Sequence, residues 1–228
     1  DKPAKSVDTS KRRFLSATLL SAIAAGNLIA QETAGKLRAK QEPKRQTPIA
    51  PPGAIDFNHL REKCISCHLC VSKCPSHVIK PAFLEYGLGG MMQPHLYFDH
   101  GFCNYDCTVC GDVCPTGALT PLTVEEKHHT QMGQVHFILE NCIVYCDETS
   151  CGACSEHCPT QAVSMVPYKG ALTIPQIDPS ICVGCGGCES ICPAIPYKAI
   201  YVEGQEAHNR IEIKEEKPEE IIIEDFGF

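Results

Sequence analysis

Seventeen of the 228 residues are cysteine, far more than packing calls for, and their spacing is regular enough to name the chemistry they can do. Two runs share one pattern: Cys64-x2-Cys67-x2-Cys70-x3-Cys74-Pro75 and Cys182-x2-Cys185-x2-Cys188-x3-Cys192-Pro193. A third, Cys103-x3-Cys107-x2-Cys110-x3-Cys114-Pro115, has one extra residue in its first gap. The remaining run holds five cysteines, Cys142, Cys146, Cys151, Cys154 and Cys158, and again ends in Cys-Pro. Thiols two residues apart cannot form a framework of unstrained disulfides among themselves, because bridge geometry restricts how the Cβ atoms face each other. Metal ligation remains, and three close thiolates plus a fourth held away by a Cys-Pro turn is the pattern that wraps a [4Fe-4S] cube and reaches a neighbouring one.

The sequence therefore predicts four [4Fe-4S] clusters held by Cys64, Cys67, Cys70, Cys74, Cys103, Cys107, Cys110, Cys114, Cys142, Cys151, Cys154, Cys158, Cys182, Cys185, Cys188 and Cys192. In the five-cysteine run Cys142 is preferred over Cys146, since the repeat interval lands on it and Cys142-Ile143 repeats the cysteine-apolar start of Cys64-Ile65 and Cys182-Val183; Cys146 is then the spare thiol. Zinc ribbons also use Cys-x2-Cys pairs, but four three-plus-one runs with Cys-Pro are not explained by zinc. Cys64-Ile-Ser-Cys67-His68 formally matches a c-type haem attachment site, embedded here in a complete iron–sulfur run. The ten histidines read as surface or hydrogen-bonding groups, and Gly87-Leu-Gly-Gly-Met-Met as a turn and not a nucleotide loop. No nucleophile–base pair or acid–base carboxylate pair stands out, so the expectation is a conductor of electrons and not an enzyme.

The elements that position these thiols must repeat as well. First cysteines at 64, 103, 142 and 182 give intervals of 39, 39 and 40 residues, the mark of one supersecondary unit used four times. Leu96-Tyr-Phe, Val135-His-Phe-Ile-Leu and Leu172-Thr-Ile-Pro-Gln-Ile read as short strands entering the later units, with brief helices expected after each Cys-Pro. Gly184, Gly186 and Gly187 suit a backbone that curls close to a cluster and aims N–H groups at its sulfurs. The expected fold is α+β and ferredoxin-like, with two dicluster lobes at 53–126 and 127–203. Near-equal intervals favour pairing the first run with the second and the third with the fourth. A nested arrangement, first with fourth around second with third, is the alternative. In the tandem version Cys64, Cys67 and Cys70 share a cluster with Cys114, and Cys103, Cys107 and Cys110 with Cys74. Likewise Cys142, Cys151 and Cys154 go with Cys192, and Cys182, Cys185 and Cys188 with Cys158.

Charge sets the outer segments apart. The formal charge is −7; sixteen thiolates and four cores of about +2 each bring the loaded protein to roughly −15, which argues against a nucleic-acid partner. Residues 1–45 hold ten Lys/Arg against four Asp/Glu, whereas 203–228 hold three against nine. Ser10-Lys-Arg-Arg-Phe-Leu followed by an apolar run to Ala30 looks like a twin-arginine export signal over 1–30, with a basic amphipathic helix at a membrane surface as the alternative. Residues 31–52 read as an extended linker. The acidic tail, 204–228, carries a suggested strand at Arg210-Ile-Glu-Ile-Lys and an apolar run at Ile221-Ile-Ile-Glu-Asp-Phe.

Taken together, Lys-Arg-Arg-Phe-Leu, the linker end Pro51-Pro52-Gly53-Ala54-Ile55, the run from Cys64 to Pro75, Cys114-Pro-Thr-Gly-Ala-Leu119 and the wide gap after Cys142 resemble the NapG/MauM ferredoxin-type proteins over residues 10 to about 202. The early position of the long gap in the second run and the acidic tail depart from that family. The resemblance implies a periplasmic polyferredoxin, exported folded with its clusters. It would take electrons from a membrane-bound quinol dehydrogenase and pass them to a reductase or cytochrome. The alternative is an electron-relay subunit of a larger oxidoreductase complex; a cytoplasmic location is the alternative to export.

Overall fold

The computed structural model describes residues 40–212; the export-like segment, the first part of the linker and the apolar run at 221–226 lie outside the described residues. Short helices and short strands alternate, giving a small α+β structure. Helix α1 (Phe57–Lys63) starts where the Asp56 carboxylate accepts a hydrogen bond from the His59 amide at 2.8 Å, and it buries Leu60. It delivers the chain to Cys64. Helix α2 (Leu69–Lys73) follows, then β1 (Ile79–Pro81) paired antiparallel with β2 (Pro94–Leu96), then α3 (Val109–Asp112) and α4 (Val124–His128). Helix α4 opens on a complete capping box, in which Thr123 accepts from the Glu126 amide and the Glu126 carboxylate accepts from the Thr123 amide. Next come β3 (Thr130–Phe137), α5 (Ile143–Cys146), α6 (Ala153–Glu156), the hairpin β4 (Val163–Pro167) with β5 (Thr173–Ile177), α7 (Gly187–Ile191) and β6 (Ile200–Arg210).

The helices precede each Cys-Pro instead of following it, contrary to the expectation from sequence. Helices α2, α3, α6 and α7 each contain the third cysteine of a run and end at or just before the fourth. A residue before proline is pushed out of the helical region, and Cys74 (ψ 114°) and Cys192 (ψ 121°) show it. Cys-Pro is thus a stop signal, after which the chain turns into a strand or loop. The strand suggested at Arg210-Ile-Glu-Ile-Lys also sits elsewhere: β6 ends at Arg210, because the alternating burial of Ile200, Val202 and Gly204 is what pairs with β3.

Apolar side chains gather into two clusters. One holds Ile49, Leu60, Val78, Leu96, Phe98 and Leu119; the other holds Val135, Val144, Val163, Ala199 and Ile200. The β3–β6 ribbon serves both, with Met132 and Val202 in the first cluster and Val135 and Ile200 in the second. Residues 40–52, read from composition as part of a linker, lie outside any named helix or strand, and 48–52 are buried. The Leu96 amide donates to the Ile49 carbonyl (2.8 Å) and the Gly204 amide to the Thr47 carbonyl (3.1 Å). This segment therefore ties β2 to β6. Arg45 reinforces the tie through a 2.7 Å ion pair with the buried Glu189 and a hydrogen bond to the Val202 carbonyl.

Candidate functional site

Two pairs of packed helices, α2 with α3 and α6 with α7, decide where the thiols go. In each helix the third and fourth cysteines are four residues apart, one helical turn and about 6 Å of rise. Each helix therefore reaches two different places. Cys64, Cys67, Cys70 and Cys114 line one cavity. Cys74, Cys103, Cys107 and Cys110 line a second. Cys158, Cys182, Cys185 and Cys188 line a third, and Cys142, Cys151, Cys154 and Cys192 a fourth. The space between protein atoms, mouths included, is about 360, 320, 300 and 370 Å³ respectively. All sixteen predicted cysteines are in these sets, in the tandem arrangement and with the fourth thiol crossed. Cys146 is in none of them: it is exposed, its thiol 3.4 Å from Asp147 Oδ2.

The first and fourth cysteine loops share one backbone shape. Ser66 and His68 in the first run have φ of 52° and 59°, and Gly184 and Gly186 at the same two positions of the fourth run have 72° and 80°. Ser66 and His68 bear strain of order 1 kcal/mol or more each that glycine avoids. In the fourth run glycine is required for a second reason that the sequence did not announce. A Cβ on Gly186 would lie 2.3 Å from the Phe98 ring, and one on Gly184 would lie 2.6 Å from the Gly133 nitrogen. These loops also turn amides toward sulfur, as expected. The Ser66 amide donates to Cys64 Sγ (3.4 Å), that of Leu119 to Cys114 Sγ (3.3 Å), and that of Ala199 to Cys192 Sγ (3.4 Å).

As bare thiols, eight of these groups resist ionisation: Cys70, Cys103, Cys110, Cys142, Cys154, Cys182, Cys185 and Cys188. Burial, with the neighbouring thiols adding to it, pushes Cys70 up to about 11 and Cys154 up to about 11. Burial likewise pushes Cys110 up to about 12 and Cys185 up to about 12. Cys114 is the exception: burial raises it, but hydrogen bonds from the backbone of Leu119 and Thr116 outweigh burial and hold it low. Thiols that burial holds neutral are suited to a cationic core, whose charge reverses that preference. Among the described residues no three His, Cys, Asp or Glu side chains converge tightly enough for a single metal ion. A polynuclear core, wider than one ion, is what the spacing suits.

Sequence reasoning missed Lys127, Tyr105 and Glu189. Lys127 is buried at 4% exposure with its ammonium on the carbonyls of Asn104 and Cys107; Tyr105 stacks on His128 with ring centres 3.8 Å apart. Glu189 is buried beside Cys188. None carries a spacing signal, because each gains its neighbour from a distant part of the chain.

Comparison with known proteins fits this arrangement. The family model of the 4Fe-4S dicluster domain matches residues 63–118 and 146–195, the first spanning two runs and the second beginning at Cys146, although Cys142 is the residue in the cavity. The ferredoxin-type protein NapF of Escherichia coli K12 is 27% identical over 160 residues, covering 70% of this chain and 88% of that protein. The ferredoxin-type protein NapG of the same organism is 29% identical over 191 residues, 80% of each chain. The methylamine utilization ferredoxin-type protein MauM of Methylobacillus flagellatus is 32% identical over 168 residues, 68% of each. The chain carries [4Fe-4S] clusters, transfers electrons without catalysing a reaction, and belongs to the NapG/MauM family of ferredoxin-type proteins.

Proposed function

We propose that the chain is a four-cluster relay in two dicluster lobes, with one [4Fe-4S] core in each of the four cysteine-lined cavities and the sixteen lining thiolates as its ligands. When bound, such a core takes up and returns single electrons. The observation that carries the reading is the crossing at each short helix: the third cysteine of a run lines one cavity and the fourth lines its neighbour.

A linear order follows. The first and second cavities share α2 and α3, and the third and fourth share α6 and α7. The second and third meet where the Cys103 amide donates to the Cys185 carbonyl at 2.8 Å. Electrons enter or leave at the Cys64 end and the Cys142 end. In this order the fourth run of the sequence is internal and the third is terminal.

The partners at these ends are a membrane-bound quinol dehydrogenase on one side and a periplasmic reductase or cytochrome on the other, a reading supported by the family and by Lys11-Arg12-Arg13-Phe14-Leu15. A reporter fused after residue 52 tests export; retention in the cytoplasm of a host with a working twin-arginine system would refute it. Among the described residues no helix is long and apolar enough to cross a membrane. A second reading, a relay subunit docked in a larger complex, is favoured by exposed Ile65, Phe83, Leu84 and Leu88. The loop bearing the last three is held to the first cysteine loop by the hydrogen bond between His68 Nε2 and the Met92 carbonyl. Co-purification with a partner under gentle conditions separates the two readings.

Iron and sulfide analysis of anaerobically purified full chain, with EPR of the reduced protein, is the decisive measurement. About sixteen irons and sixteen sulfides per chain are expected. Eight or fewer in fully loaded protein would sink the four-cluster assignment.

A further inference from the structure

We propose that Lys127 sets the reduction potential of the cluster site formed by Cys74, Cys103, Cys107 and Cys110, making that site the first of the four to accept an electron. The inference rests on the four-cluster reading above. Lysine is rarely buried unless its charge is matched, yet Lys127 is 4% exposed and, among the described residues, has no carboxylate within ion-pair distance. Its ammonium donates instead to the carbonyls of Asn104 (2.5 Å) and Cys107 (2.5 Å), inside the loop that carries the second run's thiols. Its positive charge is close enough to favour the thiolate forms of Cys103 and Cys110.

The placement is built, not incidental. The Thr123–Glu126 capping box fixes the start of α4, and His128, one residue on, holds Asp106 at 2.9 Å and stacks on Tyr105. Lys127 at the Asn104 carbonyl and His128 at Tyr105 and Asp106 both reach the stretch lengthened by the extra residue between Cys103 and Cys107. The longer gap thus supplies the seat for Lys127.

Among the described residues Lys127 is the only buried lysine or arginine. Glu189, an acid, lies beside the third site and is offset by Arg45. Lys198 donates to the carbonyls of Ser190 (3.3 Å) and Cys192 (2.7 Å), but it is only half-buried, so water screens it. The main influences on Cys70, Cys142 and Cys154, which line the first and fourth sites, are burial, backbone hydrogen bonds and neighbouring thiols. Reduction adds one negative charge to a core. An uncompensated ammonium in a low-dielectric interior favours the reduced state.

The test is an EPR-monitored potentiometric titration of anaerobically purified holoprotein and of K127Q, K127M and K127R. C74S serves as the marker that perturbs the second site's signal. The uncharged variants should shift the earliest-reduced signal, the one altered in C74S, to lower potential and leave the other three in place, while K127R keeps it near its original position. The proposal is overturned if that signal does not move, if all four move together, or if the earliest-reduced signal is not the one C74S alters. It is also overturned if both uncharged variants fail to load iron while K127R loads, since the role is then structural. Iron content of the unmodified protein reports on the four-cluster reading separately, so the two can fail independently.

Discussion

The backbone amide of Cys103 donates a hydrogen bond to the carbonyl of Cys185 at 2.8 Å, joining thiol loops 82 residues apart in sequence. That contact brings the second and fourth cysteine runs together. Gly186, next to Cys185, packs on Phe98, five residues before Cys103, so the contact is supported from both sides.

Gly186→Ala tests that support. The new methyl group would meet the Phe98 ring at 2.3 Å on a backbone with φ of 80°, and a loss of about 2–4 kcal/mol is expected in denaturant unfolding of the loaded protein. Gly117→Ala is the control: φ is 67°, but nothing lies within 4 Å of the added atom, so only the conformational cost, about 1 kcal/mol, should appear. Equal effects would mean that the Phe98 contact carries no weight.

Cys142→Ser and Cys146→Ser separate the two candidates of the third run. Cys142 lines the fourth cavity and Cys146 is exposed. Cys146→Ser should retain the full iron content, whereas Cys142→Ser should lose about four of about sixteen irons. The reverse outcome in anaerobic iron analysis would reassign the fourth site.

Arg45→Met removes the cation from Glu189, whose side chain is 8% exposed and whose Oε2 also accepts from the Val202 amide at 2.7 Å. Breaking one side of a buried pair leaves an uncompensated charge, and about 3 kcal/mol of stability should be lost. Arg45→Met with Glu189→Gln should recover most of it. If the double variant is no more stable than the single one, the loss comes from packing and not from charge.

His208 should make folding sensitive to mild acid. Burial of its ring, whose two nitrogens have no hydrogen-bond partner, holds its pKa at about 4, against 6.5 ordinarily, with the Asp56 charge opposing burial only in part. Between these values the unfolded chain binds a proton that the folded chain refuses. Stability is therefore greatest above pH 6.5 and falls as pH drops toward 4, by about 2 kcal/mol between pH 7 and pH 5. His208→Leu should lose less over that interval than the unmodified protein by about this amount. Acid effects on the clusters are common to both and cancel in the difference, and identical pH slopes would dismiss the assignment.

Some local structure could be read directly and some was displaced. The runs at Val135 and Leu172 fall in β3 and β5 because alternation of apolar residues is a local property of a half-buried strand. The short helices lie before each Cys-Pro and not after it, because proline acts on the residue before it as a helix stop. Residues 40–52 looked like a tether because their composition is basic and proline-rich. The burial of 48–52 depends on Leu96, Glu203 and Gly204, which no local pattern reveals.

By itself the sequence determined the type of cofactor and the candidate thiols, because a cube of iron and sulfur needs several thiolates at short, fixed intervals, and such intervals are written along the chain. Only the tertiary structure decided which thiols share a cavity, that the fourth run lies inside and the third at the end, and that a buried lysine stands beside one site alone. Those are relations between residues tens of positions apart. They are set by which helices pack, which backbone groups find partners and which charges are shut away from water.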